Sequence, residues 1–204
     1  MRRFAGLILV AVLGVACGSN KVLVPPALDL KPYGRIAIVT FTVENAKGGL
    51  HELATERFAE AALRAQPGIE MLELGPQDTL LQRLGDQTAA AQELGKRRGV
   101  AAVFFGHLKI TNPKASGSIN DLMNPTLEAT VRTDLSVRLL STTTGATAWR
   151  SSAWATRKVG QVRVVNGQVD FMASDPAEAY GPMVDRIVEL VTEDLWSTWQ
   201  KAPK

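Results

Sequence analysis

"RIAIVTF", residues 35–41, decides the fold. The run from Ile36 to Val39 is β-branched and apolar without a polar break, which marks a strand buried on both faces. Helices to cover such a strand come next in the chain. After the turn-rich "TVENAKGG", 42–49, the residues Leu50, Leu53, Ala54, Phe58, Ala61, Ala62 and Ala65 recur at helical spacing. "IEMLELG", 69–75, is a second short strand, and Pro76 starts a helical region from Asp78 to Arg98, interrupted near Gly85. "GVAAVFFGHLKI", 99–110, is a third strand. The order β-α-β-α-β favours a sheet covered by helices.

The second half changes period. In "TLEATVRTDLSVRLLST", 126–142, apolar residues fall at every second position (Leu127, Ala129, Val131, then Leu135, Val137, Leu139), so this is a long strand with one solvated face. "TTG", 143–145, makes the turn, and "ATAWRSSAWATRKV", 146–159, returns as its antiparallel partner. A smaller hairpin is expected where "VRVV" and "QVDF" flank Asn166-Gly167, a pair suited to a type I′ turn. The end reads as an amphipathic helix with Tyr180, Met183, Val184, Ile187, Val188, Val191, Leu195 and Trp199 on one face. The fold class is therefore α/β: a mixed sheet with helices packed on it, an antiparallel hairpin in the second half and a C-terminal amphipathic helix.

Upstream, Arg2 and Arg3 precede an apolar run from Phe4 to Val15, the layout of a secretion signal. The run is too short to span a membrane, which takes about 20 apolar residues. It ends at Cys17, the only cysteine. "LGVAC" resembles the lipobox of bacterial lipoproteins, with Ala16 before the acylated Cys17, although Gly14 stands where those signals usually carry Leu. The resemblance implies cleavage before Cys17, several acyl chains on it, and stable anchoring. Gly18 in place of Asp favours the periplasmic face of the outer membrane. The expected organisation is a signal over 1–16, a lipidated tether over 17–33, where "GSNKVLVPPALDLKPY" shows three prolines and no sustained period, and one α/β domain over 34–200.

Without residues 1–16, 21 basic and 20 acidic side chains remain, so the basic balance belongs largely to the signal. The one basic cluster, Lys96, Arg97 and Arg98, reads as the solvated carbonyl end of a helix rather than a phosphate site, and no nucleic-acid partner is expected. Chemistry-bearing patterns are thin. His51-Glu52 begins like a zinc-protease helix, but Thr55 occupies the place of the second histidine. His107 alone cannot complete a metal set, and no G-x-S-x-G elbow is present. Asn45 to Gly49 lacks the phosphate-loop ending and the dinucleotide fingerprint. Glu52 and Glu56, one helical turn apart, are ordinary on an exposed helix. No catalytic residue, metal or cofactor is expected. Trp149 and Trp154, five apart on a strand, face opposite sides, one toward the core and one toward the surface. Trp196 and Trp199 read as packing against the sheet.

"GRIAIVTF", "IEMLELG", "AAAQELGKRRGVAAVFFGHL" and "LSVRLLSTTTGATAWRSSA" together resemble the periplasmic fold shared by curli-secretion lipoproteins, the TolB amino-terminal domain and the lipoprotein activators of penicillin-binding proteins. The resemblance covers roughly residues 34–197, and its motifs are structural rather than catalytic. It implies a domain that acts by protein contact: a lipid-anchored envelope protein that binds another envelope component and assists its assembly or regulation. Candidate contacts are Trp149, Trp154, Asn166, Gly167 and the loop 112–125. Two alternatives remain. One is a self-assembling subunit of a secretion or transport complex, with a pore disfavoured because 112–125 lacks the alternation of spanning strands and the hairpin at 159–173 is too short. The other is an enzyme or ligand receptor, which a concave pocket gathering His107 with carboxylates would support.

Overall fold

The computed structural model describes residues 21–76, 83–116, 128–166 and 168–201. The expected signal, Cys17, residues 77–82 of the helical region after Pro76, most of the loop 112–125 and Gly167 lie outside these residues. The strands are β1 (Lys21–Val24), β2 (Arg35–Thr40), β3 (Thr42–Glu44), β4 (Ala46–Lys47), β5 (Glu70–Pro76), β6 (Ala102–Ser116), β7 (Glu128–Ser141), β8 (Thr147–Val159), β9 (Val162–Val165), β10 (Gln168–Phe171) and β11 (Thr198–Lys201). The helices are α1 (Leu50–Ala65), α2 (Gln87–Arg98) and α3 (Pro176–Val191).

The main sheet is mixed, in the order β5-β2-β6-β7-β8, with β3 continuing along β6. β2 runs parallel to β5 and to β6, and β6, β7 and β8 follow antiparallel. The chain steps outward from β2 to β5 through α1 and back across β2 to β6 through α2. Right-handed crossovers taken in opposite directions put their helices on opposite faces. Accordingly α1, joined by α3, covers one face around Phe58, Phe104 and Val184, and α2 covers the other around Val39, Val103 and Phe105. Ile36 to Val39 are fully buried between them, as their unbroken apolar run requires. Along β7 the odd-numbered side chains from Ala129 to Leu139 are buried under α1 and α3, while Thr130 to Arg138 at even numbers are half-buried on the opposite face.

Local chemistry sets the boundaries. The Asp86 carboxylate accepts from the Ala89 N–H at 2.7 Å and starts α2, and Gly99 at φ 63° ends it in a left-handed cap. Lys96, Arg97 and Arg98 occupy its exposed last turn. Asp175 caps α3 in the same way, accepting from Glu178 N–H at 3.0 Å with Pro176 in the first turn. Gly106 and Gly95 are among the glycines that close contacts require. The Phe41 ring, at the break between β2 and β3, lies where a Cβ on Gly106 would stand. Thr55 of α1 holds that break by accepting from the Phe41 N–H at 2.9 Å. At Gly95, α2 approaches the β7–β8 turn so closely that a Cβ would collide with Thr142.

The small hairpin forms where expected: β9 and β10 pair antiparallel with Val165 opposite Gln168, and Asn166 has the positive φ, 50°, of a type I′ turn. It belongs to a separate three-stranded sheet with β4.

Both ends depart from expectation. The described part of the tether, residues 21–33, is folded: β1 pairs antiparallel with β11, and Leu28 and Leu30 enter the core. Prolines 25 and 26 bar a helix there, but they do not keep the neighbouring leucines from being buried. Gln66, 3% exposed at the end of α1, accepts from Leu30 N–H and donates to the carbonyls of Leu28 and Leu195. One buried amide thus binds both ends of the chain. The last helix stops at Val191 instead of running on to Trp199. The Thr192 hydroxyl donates to Val188 O at 2.8 Å, a short 3-10 turn buries Leu195, and the chain becomes β11. Trp196 and Trp199 therefore share no helix face; they are 40% and 66% exposed. Their spacing continued a helical period, but a partner strand at the other end of the chain decided the structure.

Candidate functional site: a polar sheet face around Trp154

α2 covers only one end of its face of the sheet. Beyond it, the register aligns polar side chains in rows across the strands. Thr42, His107, Ser136 and Ser152 are successive partners, and so are Glu44, Lys109, Asp134 and Trp154. Arg132 and Thr156 pair in the next row. Side chains that are opposite or diagonal on one face can interact, and several here do, across the strands and along them. Lys109 Nζ lies 2.6 Å from Glu44, Arg132 lies 2.9 Å from Asp134, and the Thr111 hydroxyl donates to Asp134 at 3.2 Å. The Arg132 guanidinium stands 4.3 Å from the centre of the Trp154 ring, within cation–π range. Trp154 is 57% exposed. It borders a shallow depression of about 250 Å³ lined also by His107, Asp134, Ser136 and Ser152.

His107 meets a hydroxyl and a carboxylate. Its Nδ1 is 2.8 Å from the Thr42 hydroxyl and its Nε2 is 3.2 Å from Glu44. Hydroxyl, imidazole and carboxylate in that order are the parts of a nucleophilic relay. Here, however, Glu44 is shared. The hydrogen bond from Lys109 is the main reason its carboxyl sits below the usual 4.5, desolvation opposes that shift, and His107 adds to it. His107 and Glu44 are also nearly half exposed on an open sheet, without the water-excluded environment that strengthens such groups. The arrangement is a row of cross-strand neighbours. Among the described residues no group of three or more His, Cys, Asp and Glu could hold a metal ion.

A larger groove, about 1000 Å³, runs between α1 and α3. Some of its charges pair: Arg57 with Glu60 at 3.1 Å and with Asp185 at 3.5 Å, and Arg186 with Glu189 at 2.7 Å; Arg64, Arg157, Glu193 and Trp196 line it as well. The buried Nδ1 of His51, second in α1, lies 2.9 Å from the Glu52 carboxylate without a hydrogen bond to it. No helix of the described residues is long and apolar enough to cross a membrane.

Of the described candidate contacts, Trp154 is on this face, and Pro113 and Lys114 of the segment 112–125, which continue β6, line a neighbouring depression with Arg132 and Thr156. Trp149 turns inward, its ring edge-to-face with Phe104 at 6.1 Å and its Nε1 donating to Asp194 at 3.3 Å. It ends a line of aromatics that runs through Phe104 and Phe58 to Phe41. Asn166 is exposed, but on the separate small sheet. The neighbours of Trp154, namely Arg132, Asp134, Lys109 and Glu44, were not singled out by the sequence. Their signal was the polar half of the alternation in β7, which shows a wet face but not which side chains meet across it.

No family model matches the chain, and no curated protein matches it. Among solved structures it is similar to the PelC dodecamer from Paraburkholderia phytofirmans, at 15% identity over 90% of this chain and 99% of that one, with a TM-score of 0.49. It is also similar to the LpoB C-terminal domain from Salmonella enterica, at 16% identity over 61% of this chain and 84% of that one, TM-score 0.38. A third is lipoprotein GNA1162 from Neisseria meningitidis, at 17% identity over 66% and 88% of the two chains, TM-score 0.36.

Proposed function

We propose that this chain is a lipid-anchored protein of the periplasmic face of the outer membrane that binds another envelope protein, without catalysis, through the sheet face around Trp154. The anchor reading rests on Arg2 and Arg3, the apolar run after them and Cys17. The surface reading rests on one observation: Trp154 is 57% exposed while Arg132 and its ion pair with Asp134 hold the ring in place. Trp and Arg are the residues over-represented at binding hot spots, and a ring already oriented loses little entropy when a partner covers it. The acids of this face are engaged by Lys109 and Arg132, which suits recognition better than proton transfer.

Two measurements test the reading. The protein from bacterial membranes should have the mass of a chain beginning at Cys17 plus acyl groups, and Cys17→Ala should lose that mass. A photo-crosslinking residue in place of Trp154 in living cells should capture one envelope protein of discrete mass, and the same residue in place of Leu63 on α1 should not. Arg132→Glu should abolish the capture. No product, or the same products from both positions, would count against this surface. Capture of a second copy would favour self-assembly, the alternative supported by β8, a 13-residue strand that carries Trp154 at the edge of the main sheet.

A further inference from the structure

The β1–β11 ribbon is the least buried part of the described chain. Every residue of β11 is exposed, and so are Lys21, Val22 and Leu23 of β1. An isolated two-stranded ribbon is marginal in water, and this one holds Leu23 at 54% and Trp199 at 66% exposure directly opposite each other on one face. On that same face, at the ribbon's end, Lys21 is paired with Lys201. Like charges placed directly opposite repel. Among the described residues neither lysine has a carboxylate partner. The face therefore carries an aromatic and an aliphatic side chain beside two ammonium groups, the combination found at membrane interfaces, where Trp sits at headgroup level and Lys meets phosphate.

We infer that this face of the ribbon lies flat on an anionic lipid surface as a second, non-covalent membrane contact. The inference rests on the proposed anchor for its geometry. Only Gly18, Ser19 and Asn20 separate Cys17 from Lys21, so an acylated Cys17 holds Lys21 within about 14 Å of the bilayer surface at roughly 3.5 Å per residue. The lysine end of the ribbon is the end nearest that anchor. Gln66, through Leu28 and Leu195, ties the bases of both strands to α1, so a seated ribbon would also fix how the domain stands on the membrane.

The test uses the chain from Gly18 to Lys204, which keeps every described element and has no lipid. It is mixed with vesicles of phosphatidylethanolamine and phosphatidylglycerol bearing brominated acyl chains, or with brominated phosphatidylcholine vesicles. Binding to the anionic vesicles should exceed that to phosphatidylcholine about thirtyfold, the order expected for two lysines near an anionic surface. Tryptophan emission should be quenched by bromine. Trp199→Ala should abolish the quenching, the pair Lys21→Glu and Lys201→Glu should remove the lipid preference, and Leu63→Ala should change neither. Equal sedimentation with both lipids, or quenching that survives in Trp199→Ala, would overturn the inference. So would self-association that buries Trp199 without vesicles, which would make a second copy the occupant. Because the tested chain carries no acyl group, failure here is separate from a failure of acylation, which the mass of the mature protein reads.

Discussion

Gly95 shows how one missing methyl can outweigh a helix propensity. In the interior of α2, Ala in place of Gly would ordinarily gain about 1 kcal/mol. Here the added Cβ would strike Thr142, which has no room to retreat, since its hydroxyl donates to Val100 O at 2.7 Å and lies 3.0 Å from Ala101 O. Overpacking at such a contact costs about 1–3 kcal/mol. Gly95→Ala should therefore lower stability by up to about 2 kcal/mol in urea denaturation, and a stabilised variant would show that the helix can shift away. The glycine was visible in "ELGKRRGV", but its reason was not, because Thr142 lies 47 residues further along the chain.

Among the elements, the β3–β6 pair carries the carboxylate whose titration is shifted on the open face. Glu44 has its carboxyl held below 4.5, chiefly by Lys109 and further by His107. A carboxylate whose folded value is depressed contributes stability above its unfolded value, and that contribution disappears as pH falls through the folded one. Wild type should thus be more stable than Glu44→Gln near neutral pH, by a small margin given the exposure of the pair. The margin should close as the pH is taken below about 4.5; a difference unchanged down to about pH 3 would mean that Glu44 stabilises by packing alone. The long elements around this pair were legible, but β3 and β4 form where 42–49 reads as a turn-rich loop. The unbroken run at 36–39 became a doubly covered strand, and the alternation at 129–139 became the two sides of β7. The pairing of Glu44 with Lys109 was not legible, because β3 meets β6 in parallel across a crossover of some 60 residues.

At the scale of the whole molecule the two chain ends are one structural unit. A chain beginning at Gly34, where the sequence alone places the start of the domain, would lose the buried Leu28 and Leu30 and leave Gln66 with unmet hydrogen-bonding groups. Burial of two leucines and satisfaction of a buried amide together amount to about 4 kcal/mol or more. The shortened chain should fall short of the Gly18 chain by that order in chemical denaturation, and equal stability would show that residues 21–33 merely rest on the domain. The sequence by itself determined the α/β class, the strands β2 and β5 to β10, the helices α1 to α3 and the turn at Asn166, since each follows from periodicity or backbone preference within a few residues; it did not show that β6 runs on to Ser116 into the segment read as a loop, 112–125, or that Asp86 and Gly99 cap α2. Only the tertiary structure decided that α3 stops at Val191, that β11 pairs with β1, that Trp149 turns inward while Trp154 faces solvent among Arg132 and Asp134, and that Leu28 and Leu30 belong to the core. Those outcomes depend on partners far away in the chain. Burial and cross-strand register are properties of the assembled sheet, and local spacing does not carry them.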